Sequence, residues 1–367
     1  MKIVTVVGAR PQFIKAAAVS RIIRKQHEEI LIHTGQHYDN NMSDIFFDEL
    51  RIPKPDKNLN VGSGSHAKQT AEMMIGIEQA LIDERPDCLL IYGDTNSTLA
   101  GAIAASKVHV PVVHVEAGLR SYNKNMPEEQ NRVLADHISD LLLCPTDTAV
   151  ENLKNEGITE GVYQVGDVMC DAVLYYSKMM ESHGRKDYFA RFAGLFGNIP
   201  VLDSWYMATI HRAENTDRIE KIREILGAFE ELDSPVIFPV HPRTKGMVEQ
   251  LHQQYAYRNV IFIEPVGYLT MLYLVKHAMK TITDSGGLQK ETYILDTPCI
   301  TVRDQTEWVE TLRGNYNILA KPDKEDILNK IYQTQTDTKA KEDYYGDGHA
   351  SEKICDLLSY VKRGERK

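Results

Sequence analysis

Along the chain, short runs of β-branched and other apolar residues alternate with longer stretches in which apolar positions recur every three or four residues. In the first half the short runs are KIVTVVG, EILIHTG, CLLIYGD, VPVVHVE, LLLCPT and VYQVGD. The helical spacing covers 12–25, 39–50, 95–107, 127–139, 146–156 and 168–182. Runs that are apolar throughout predict strands covered on both faces, and the helices between them predict parallel crossover connections. The pattern weakens over 183–204 and restarts with WYMATIH, SPVIFPVHP, NVIFIEP, MKTITDS, TPCITVR and NYNILA, again separated by helical stretches. The expected fold is therefore α/β, with two Rossmann-like, doubly wound parallel sheets in series. Their bounds are expected at 1–167 and 168–349, with a final helix of about 350–367 packing back on the first unit.

A length of 367 residues agrees with this, because single cores rarely grow beyond roughly 250–300 residues. The formal net charge of -10 speaks against a nucleic-acid partner, whose footprint would be basic. It leaves room for a phosphorylated ligand in a locally positive pocket. Five scattered cysteines without a CxxC pair fit a reducing cytoplasm better than a disulfide framework or a zinc site. No signal-peptide pattern and no membrane-spanning apolar run is read in the sequence, so no membrane partner is expected.

Each predicted strand ends in polar residues: GARP, TGQH, YGDT, HVEAG, VGD, IHRAEN, VHPR, TDSGG and VRDQTE. Ligands of open α/β sheets bind at those carboxyl ends, so a site in a cleft between two such sheets is expected. TDSGGLQKE follows a strand and opens a helix. Ser285, Gly286 and Gly287 let backbone N–H groups approach a phosphate at the positive helix end. Glu291, one turn after Gly287, suits the vicinal hydroxyls of a ribose.

VGARPQFIK also opens a helix, with Arg10 at the strand end and Lys15 a turn later, both suited to an anion. It lacks GxGxxG, which disfavours a dinucleotide. YGDTNST contributes Asp94, IHRAEN His211 and Arg212, VHPR His241, and VRDQTE Arg303, Thr306 and Glu307. HVEAGLRSYNKNMPEEQNR adds Glu116, Glu128 and Glu129 with Arg120 and Arg132. Singly, each has an ordinary structural reading as a helix cap or surface charge. With no HExxH, Walker A or GxSxG, and no metal-spaced cluster, the carboxylates are candidates for proton transfer and no metal is expected.

In this order, GARPQFIK, GDTNSTLAG, HVEAGLRS…PEEQNR, HRAEN, DSGGLQKE and RDQTEWVE make the chain resemble the non-hydrolysing UDP-N-acetylglucosamine 2-epimerases over residues 2 to about 360. The resemblance implies the two-Rossmann architecture shared with GT-B glycosyltransferases, a homodimer, a UDP-sugar substrate, and neither metal nor nicotinamide cofactor. It implies inversion at carbon 2 of a UDP-2-acetamido sugar by elimination of UDP to a 2-acetamidoglucal and re-addition, for cell-surface polysaccharide precursors. The family's acid/base positions match Asp94, Glu116 and Glu128. Its phosphate and sugar contacts match Arg10, Lys15, His211, Arg212, Ser285, Gly286 and Gly287, with His211 also a catalytic candidate. Glu291 matches the ribose carboxylate, and Asn131, Arg132, Arg303, Thr306 and Glu307 match further contact or site-shaping positions; His241, from VHPR, is a binding candidate by its place at a strand end.

The chain departs from many bacterial members, which read GTRPE, TERPE and TAQHR where it has Gln12, Trp308 with Val309, and TGQHYD with Tyr38. The last region carries part of an allosteric UDP-N-acetylglucosamine site in regulated members. The same variants resemble the branch that acts on UDP-2,3-diacetamido-2,3-dideoxy-glucuronate, so substitution at sugar carbons 3 and 6 stays open. A GT-B glycosyltransferase, which needs an acceptor, and a non-catalytic UDP-sugar sensor are the competing classes.

Overall fold

The computed structural model describes residues 1–35, 47, 50–337, 339 and 341–361, with Arg10 described by its backbone. The chain divides into two units, Met1–Ala172 with Asp343–Lys367, and Val173–Glu342.

The first unit is built on a seven-stranded sheet in the order β3-β2-β1-β4-β5-β6-β7, every pair parallel. Its strands are β1 Lys2–Val7, β2 Glu28–His33, β3 Lys57–Asn58, β4 Cys88–Tyr92, β5 Val112–Val115, β6 Leu141–Cys144 and β7 Val162–Gln164. Its helices are α1 Arg10–Ile23, α2 His66–Glu84, α3 Asn96–Lys107, α4 Pro127–Ile138, α5 Asp147–Asn155 and α6 Val168–Met180, the last continuing into the second unit. Val4, Val6, Leu89, Ile91 and Val112 of the strands pack against Met73, Ile77, Ala100 and Ala104 of the helices, all buried. Each large aliphatic side chain so buried contributes about 1.5–3 kcal/mol, which is why the strands tolerate almost no polar residue.

The second unit repeats the plan with six parallel strands in the order β10-β9-β8-β11-β12-β13. They are β8 Tyr206–Thr209, β9 Val236–Pro239, β10 Val260–Ile263, β11 Thr281–Thr283, β12 Cys299–Val302 and β13 Asn317–Ala320. The helices are α7 Arg185–Phe189, α8 Ala213–Thr216, α9 Ile219–Glu230, α10 Pro242–Tyr255, α11 Tyr268–Lys276, α12 Gly286–Ile294 and α13 Lys324–Gln333. Ala208, Phe238, Ile282 and Ile300 form the strand side of its core, facing Ile225 and Phe229 of α9 and Ile327 of α13.

A last helix, α14 Ala350–Leu357, packs on α1. Its N-terminus is capped from far along the chain, where the Asp171 carboxylate accepts from Ala350 N–H at 3.0 Å and Ser351 N–H at 2.6 Å. An acceptor at the positive end of a helix satisfies donors that the helix itself leaves open.

Three sequence expectations are corrected. Helix α2 was not expected between the second and third apolar runs, although Ser65 caps it and Gln69, Met73, Ile77, Ala80 and Leu81 form its buried stripe. The two-residue strand β3 had no apolar run to announce it. The final helix ends at Leu357 with a 3-10 turn Leu358–Tyr360, shorter than the 350–367 expected, residues 362–367 lying outside the described ones. The helix expected over 39–50, and Tyr38 before it, fall almost wholly outside the described residues.

Candidate active site

In each sheet the strand order reverses direction at one place, between β1 and β4 and between β8 and β11. At such a switch point the loops leave for opposite faces and open a crevice at the carboxyl ends of the strands. The candidate residues of the first unit follow β1, β4 and β5; most of those in the second follow β8, β11 and β12.

In the first unit, β4 and β5 pair so that Tyr92 stands beside Val115, which sets Gly93 and Glu116 at neighbouring strand ends. Lys15, one turn into α1, reaches this point and pairs with Glu116, the two side chains being only 9% and 7% exposed. Gly93 has φ +63, and a Cβ there would meet Glu116 Oε2 at 3.1 Å and Lys15 Nζ at 3.4 Å, so the pair needs the glycine. Glu116 itself has φ +72. A left-handed conformation at a non-glycine residue costs about 1–3 kcal/mol and persists only where surrounding structure imposes it. Here the N–H groups of Glu116 and Ala117 donate to Leu143 O at 3.0 and 3.2 Å.

Asp94 pairs with Arg132 Nη2 at 2.5 Å, and Asn131 Nδ2 donates to the Asp94 carbonyl at 2.8 Å. Glu128 is exposed in the first turn of α4 and has no hydrogen bond or ion pair among the described residues. Its neighbour Glu129 is buried and accepts from Ser121 N–H, Tyr122 N–H and Arg132 Nη1, at 2.8, 2.8 and 3.1 Å. Burial pushes the Glu129 carboxyl up, but those donors outweigh it and hold it below the usual range. Glu129 therefore serves to fold the loop and to hold Arg132 for Asp94. The Arg10 side chain lies outside the described part of the chain.

In the second unit the hub is Asp284, fully buried after β11. Its carboxylate accepts from His211 N–H at 3.1 Å, Arg212 N–H at 2.9 Å and Asn215 Nδ2 at 3.0 Å. Its Oδ1 also lies 3.4 Å from His211 Nδ1. Burial lowers the His211 pKa; the Asp284 charge opposes this, while Arg212 and Arg243 assist it. His211 stacks on His241, whose Nδ1 accepts from Arg243 N–H at 3.1 Å and so caps α10.

Ser285 caps α12, with Gly286 and Gly287 as its first residues and Glu291 buried on it. A Cβ at Gly286 would meet Glu307 Oε1 at 2.5 Å and Arg212 Nη2 at 3.5 Å, so the glycine brings these charges to the helix N-terminus. Glu307 is bound by Arg303 Nη1 at 2.9 Å. Thr306 donates to Gln289 Oε1 at 2.6 Å and accepts from Trp308 N–H, which fixes the 303–308 loop to α12.

Four side chains that organise the site were not among the sequence candidates. Asp284 is the next-to-last residue of its run, MKTITDS. His114 is the polar residue inside VPVVHVE, and Asp136 lies on the buried face of α4. Gln12 joins the ends of β1 and β4: its Oε1 accepts from Gly8 and Ala9 N–H at 2.8 and 3.1 Å, and its Nε2 donates to Tyr92 O at 2.7 Å. A polar residue in a run that should be wholly apolar was the available signal for His114 and Asp284; Gln12 sits at the third helical position, where a capping side chain reaches back.

Two doubly wound parallel sheets, each with charged groups and helix N-termini at its strand ends, define an α/β protein of the two-Rossmann class. The chain belongs to the family described as UDP-N-acetylglucosamine 2-epimerase, whose model matches residues 21–359. A protein of Methanococcus maripaludis named as a UDP-N-acetylglucosamine 2-epimerase homolog is 51% identical over 98% of this chain and 99% of its own. The UDP-2,3-diacetamido-2,3-dideoxy-D-glucuronate 2-epimerase of Pseudomonas aeruginosa is 45% identical over 98% and 99%. Among solved structures, the Methanocaldococcus jannaschii UDP-GlcNAc 2-epimerase in complex with UDP-GlcNAc and UDP superposes with a TM-score of 0.88. It is 42% identical, over 98% of this chain and 100% of that one.

Proposed function

We propose that the chain reversibly interconverts UDP-N-acetylglucosamine and its carbon 2 epimer, UDP-N-acetylmannosamine, for cell-surface polysaccharide precursors. The observation that carries the reading is the pair of carboxylates, Glu116 and Asp94, held on Lys15 and Arg132 at neighbouring strand ends of the first unit. Inversion at carbon 2 needs a proton removed from one face and another delivered to the opposite face, so a single carboxylate does not suffice. The carbon 2 proton is weakly acidic, and its loss is coupled to departure of UDP from carbon 1, leaving a 2-acetamidoglucal. The departing diphosphate calls for a fixed cation and helix N–H groups, the proposed roles of Arg212 and of Gly286 and Gly287 at the start of α12, which Ser285 caps. Asp94, Glu116, Glu128 and His211 are the proposed proton-handling residues. Glu291 is the proposed ribose ligand, and Arg10, Lys15, Asn131, Arg132, His241, Arg303, Thr306 and Glu307 complete the proposed contacts.

A second substrate reading rests on the Pseudomonas aeruginosa relative, which is named for a diacetamido uronate. Incubation of each UDP-sugar in D2O, followed by NMR, tests both. Deuterium at carbon 2 of both epimers with the UDP linkage retained supports epimerisation, and the sugar that exchanges identifies the branch. Release of free N-acetylmannosamine, or no exchange with either sugar, overturns the proposal. We also propose a homodimer working in the cytoplasm. Exposed Ile75 and Ile82 on α2, 70% and 51% accessible, support the dimer, and a monomer mass by light scattering refutes it.

A further inference from the structure

His114 lies inside β5 with no exposed surface, yet both of its ring nitrogens face acceptors. Nδ1 is 2.7 Å from Asp136 Oδ1, and Nε2 is 2.7 Å from the carbonyl of Gly93. A carbonyl never donates. The other Asp136 oxygen already accepts from Arg120 Nη1 at 2.6 Å and from Gly118 N–H at 3.1 Å. A neutral imidazole has one N–H and one lone pair, so it would aim a lone pair at an acceptor at one of these two 2.7 Å contacts.

We propose that His114 is a doubly protonated imidazolium and a positioning residue for the carboxylate pair of the proposed epimerase site. The surroundings balance the charge: His114 and Arg120 face Asp136, and Arg120 is held in a fork by Glu156 through Nε and Nη2, both at 2.7 Å. Two cations and two anions thus close a neutral, hydrogen-bonded set, the condition under which buried charge is tolerated. Burial raises the Asp136 carboxyl, but the His114 bond and charge and the Arg120 contact outweigh it and hold it low, so the acceptor stays ionised. Half-exposed His137 lies at the rim of this set, its Nδ1 3.9 Å from Glu156 Oε2. The Cys144 thiol on β6 is pushed up to about 12 by burial and stays protonated. Beyond Gly93, Lys15 and Glu116 neutralise each other.

What the imidazolium holds is the Gly93 peptide, whose left-handed conformation leaves room for Lys15 and Glu116 and whose next residue is Asp94. Through Asp136 it also fixes Gly118 and Arg120, the loop that follows Glu116. One buried cation therefore ties the ends of β4 and β5, each carrying one carboxylate of the site. This role rests on the epimerase reading, whereas the charge of the ring does not.

The test is NMR of the full chain labelled with 15N-histidine, joined to kinetics. Both His114 ring nitrogens are expected to carry protons in the folded protein, as the two acceptor contacts require; a bare ring nitrogen overturns the proposal. In Asp136→Asn the carboxamide donates to Nδ1, and the ring is expected to show one proton in place of two. His114→Gln, which keeps a single donor group, is expected to lower kcat by roughly 10²-fold while KM stays close to wild type. Wild-type kcat in His114→Gln overturns the positioning role. If that variant does not fold, the wild-type and Asp136→Asn spectra still decide the charge, and kcat of Asp136→Asn decides the positioning, a drop supporting it and wild-type turnover overturning it. Loss of carbon 2 exchange in the wild-type protein is the separate result that removes the epimerase reading.

Discussion

Replacing Gly93 by alanine isolates the space that the Lys15–Glu116 pair requires. Two costs are expected. The first is backbone strain: φ is +63, and a Cβ in the left-handed region costs about 1–2 kcal/mol. The second is a contact cost, because the new methyl would stand 3.1 Å from Glu116 Oε2 and 3.4 Å from Lys15 Nζ. Overpacking of this kind adds about 1–3 kcal/mol where neighbours cannot withdraw. Withdrawal is restricted here, since Glu116 is tied by its backbone to Leu143 O and its side chain is buried on Lys15.

Gly157 supplies the control. It lies in the same unit, has φ +81, and a Cβ there would meet nothing within 4 Å. Gly157→Ala should lose only the strain cost, about 1–2 kcal/mol, and leave turnover unchanged. Gly93→Ala should lose about 2–5 kcal/mol in total and displace Glu116 enough to lower turnover at least about tenfold. Urea unfolding of both variants, with carbon 2 deuterium exchange as the activity readout, separates the costs. Equal destabilisation of the two, with wild-type turnover in Gly93→Ala, refutes the contact argument.

The other expectations are briefer. Glu116→Gln and Glu128→Gln should each lower exchange by roughly 10²-fold, but only the first should be unstable, by about 3–5 kcal/mol, because it leaves Lys15 buried beside a neutral group. Equal melting curves for the two contradict this. Asp284→Asn removes the charge that opposes the burial-driven fall of the His211 pKa, so the acid limb of kcat/KM should move to lower pH; movement to higher pH counts against His211 as the titrating group. Gln12→Glu puts a carboxylate against the Tyr92 carbonyl, and the clash of acceptors should cost about 1–3 kcal/mol. The folded-state pKa of that glutamate is raised, so the loss should be largest well above its unfolded value and fade as pH falls and the acid regains a donor. Stability independent of pH from 4 to 8 would remove this account of Gln12.

The sheets were legible because parallel strands buried on both faces leave an unmistakable apolar run, and twelve of the observed strands coincide with the runs read. Helix α2 was not legible by the same device. Its buried stripe begins with a polar residue, Gln69, and the face opposite that stripe carries exposed Ile75 and Ile82, so apolarity does not separate into one side. The candidate residues were visible as polar groups at strand ends, a rule of topology that needs no coordinates. Their partners were not. Nothing in the spacing of Lys15 and Glu116, separated by 101 positions, announces that they meet, and the same holds for Asp94 with Arg132. Such pairs are set by strand order, which the order of runs along the chain does not determine.

Adjacent glutamates 128 and 129 show how local geometry divides one composition between two tasks. Successive helical residues turn by about 100°, so neighbours cannot share a face. Glu129 falls with Arg132, three residues on, toward the sheet, where the backbone of Ser121 and Tyr122 and the arginine consume its acceptor capacity. A carboxylate so satisfied is held ionised and makes a poor proton carrier, because protonating either oxygen would weaken or displace donors already bound to it. Its link to the proposed site runs through Arg132, whose guanidinium contacts both Glu129 and Asp94. Glu128, turned to the exposed side, keeps its lone pairs uncommitted among the described residues. A group that must exchange a proton with a substrate needs that freedom, which makes Glu128 the better acid–base candidate and Glu129 the scaffold that aims its neighbour.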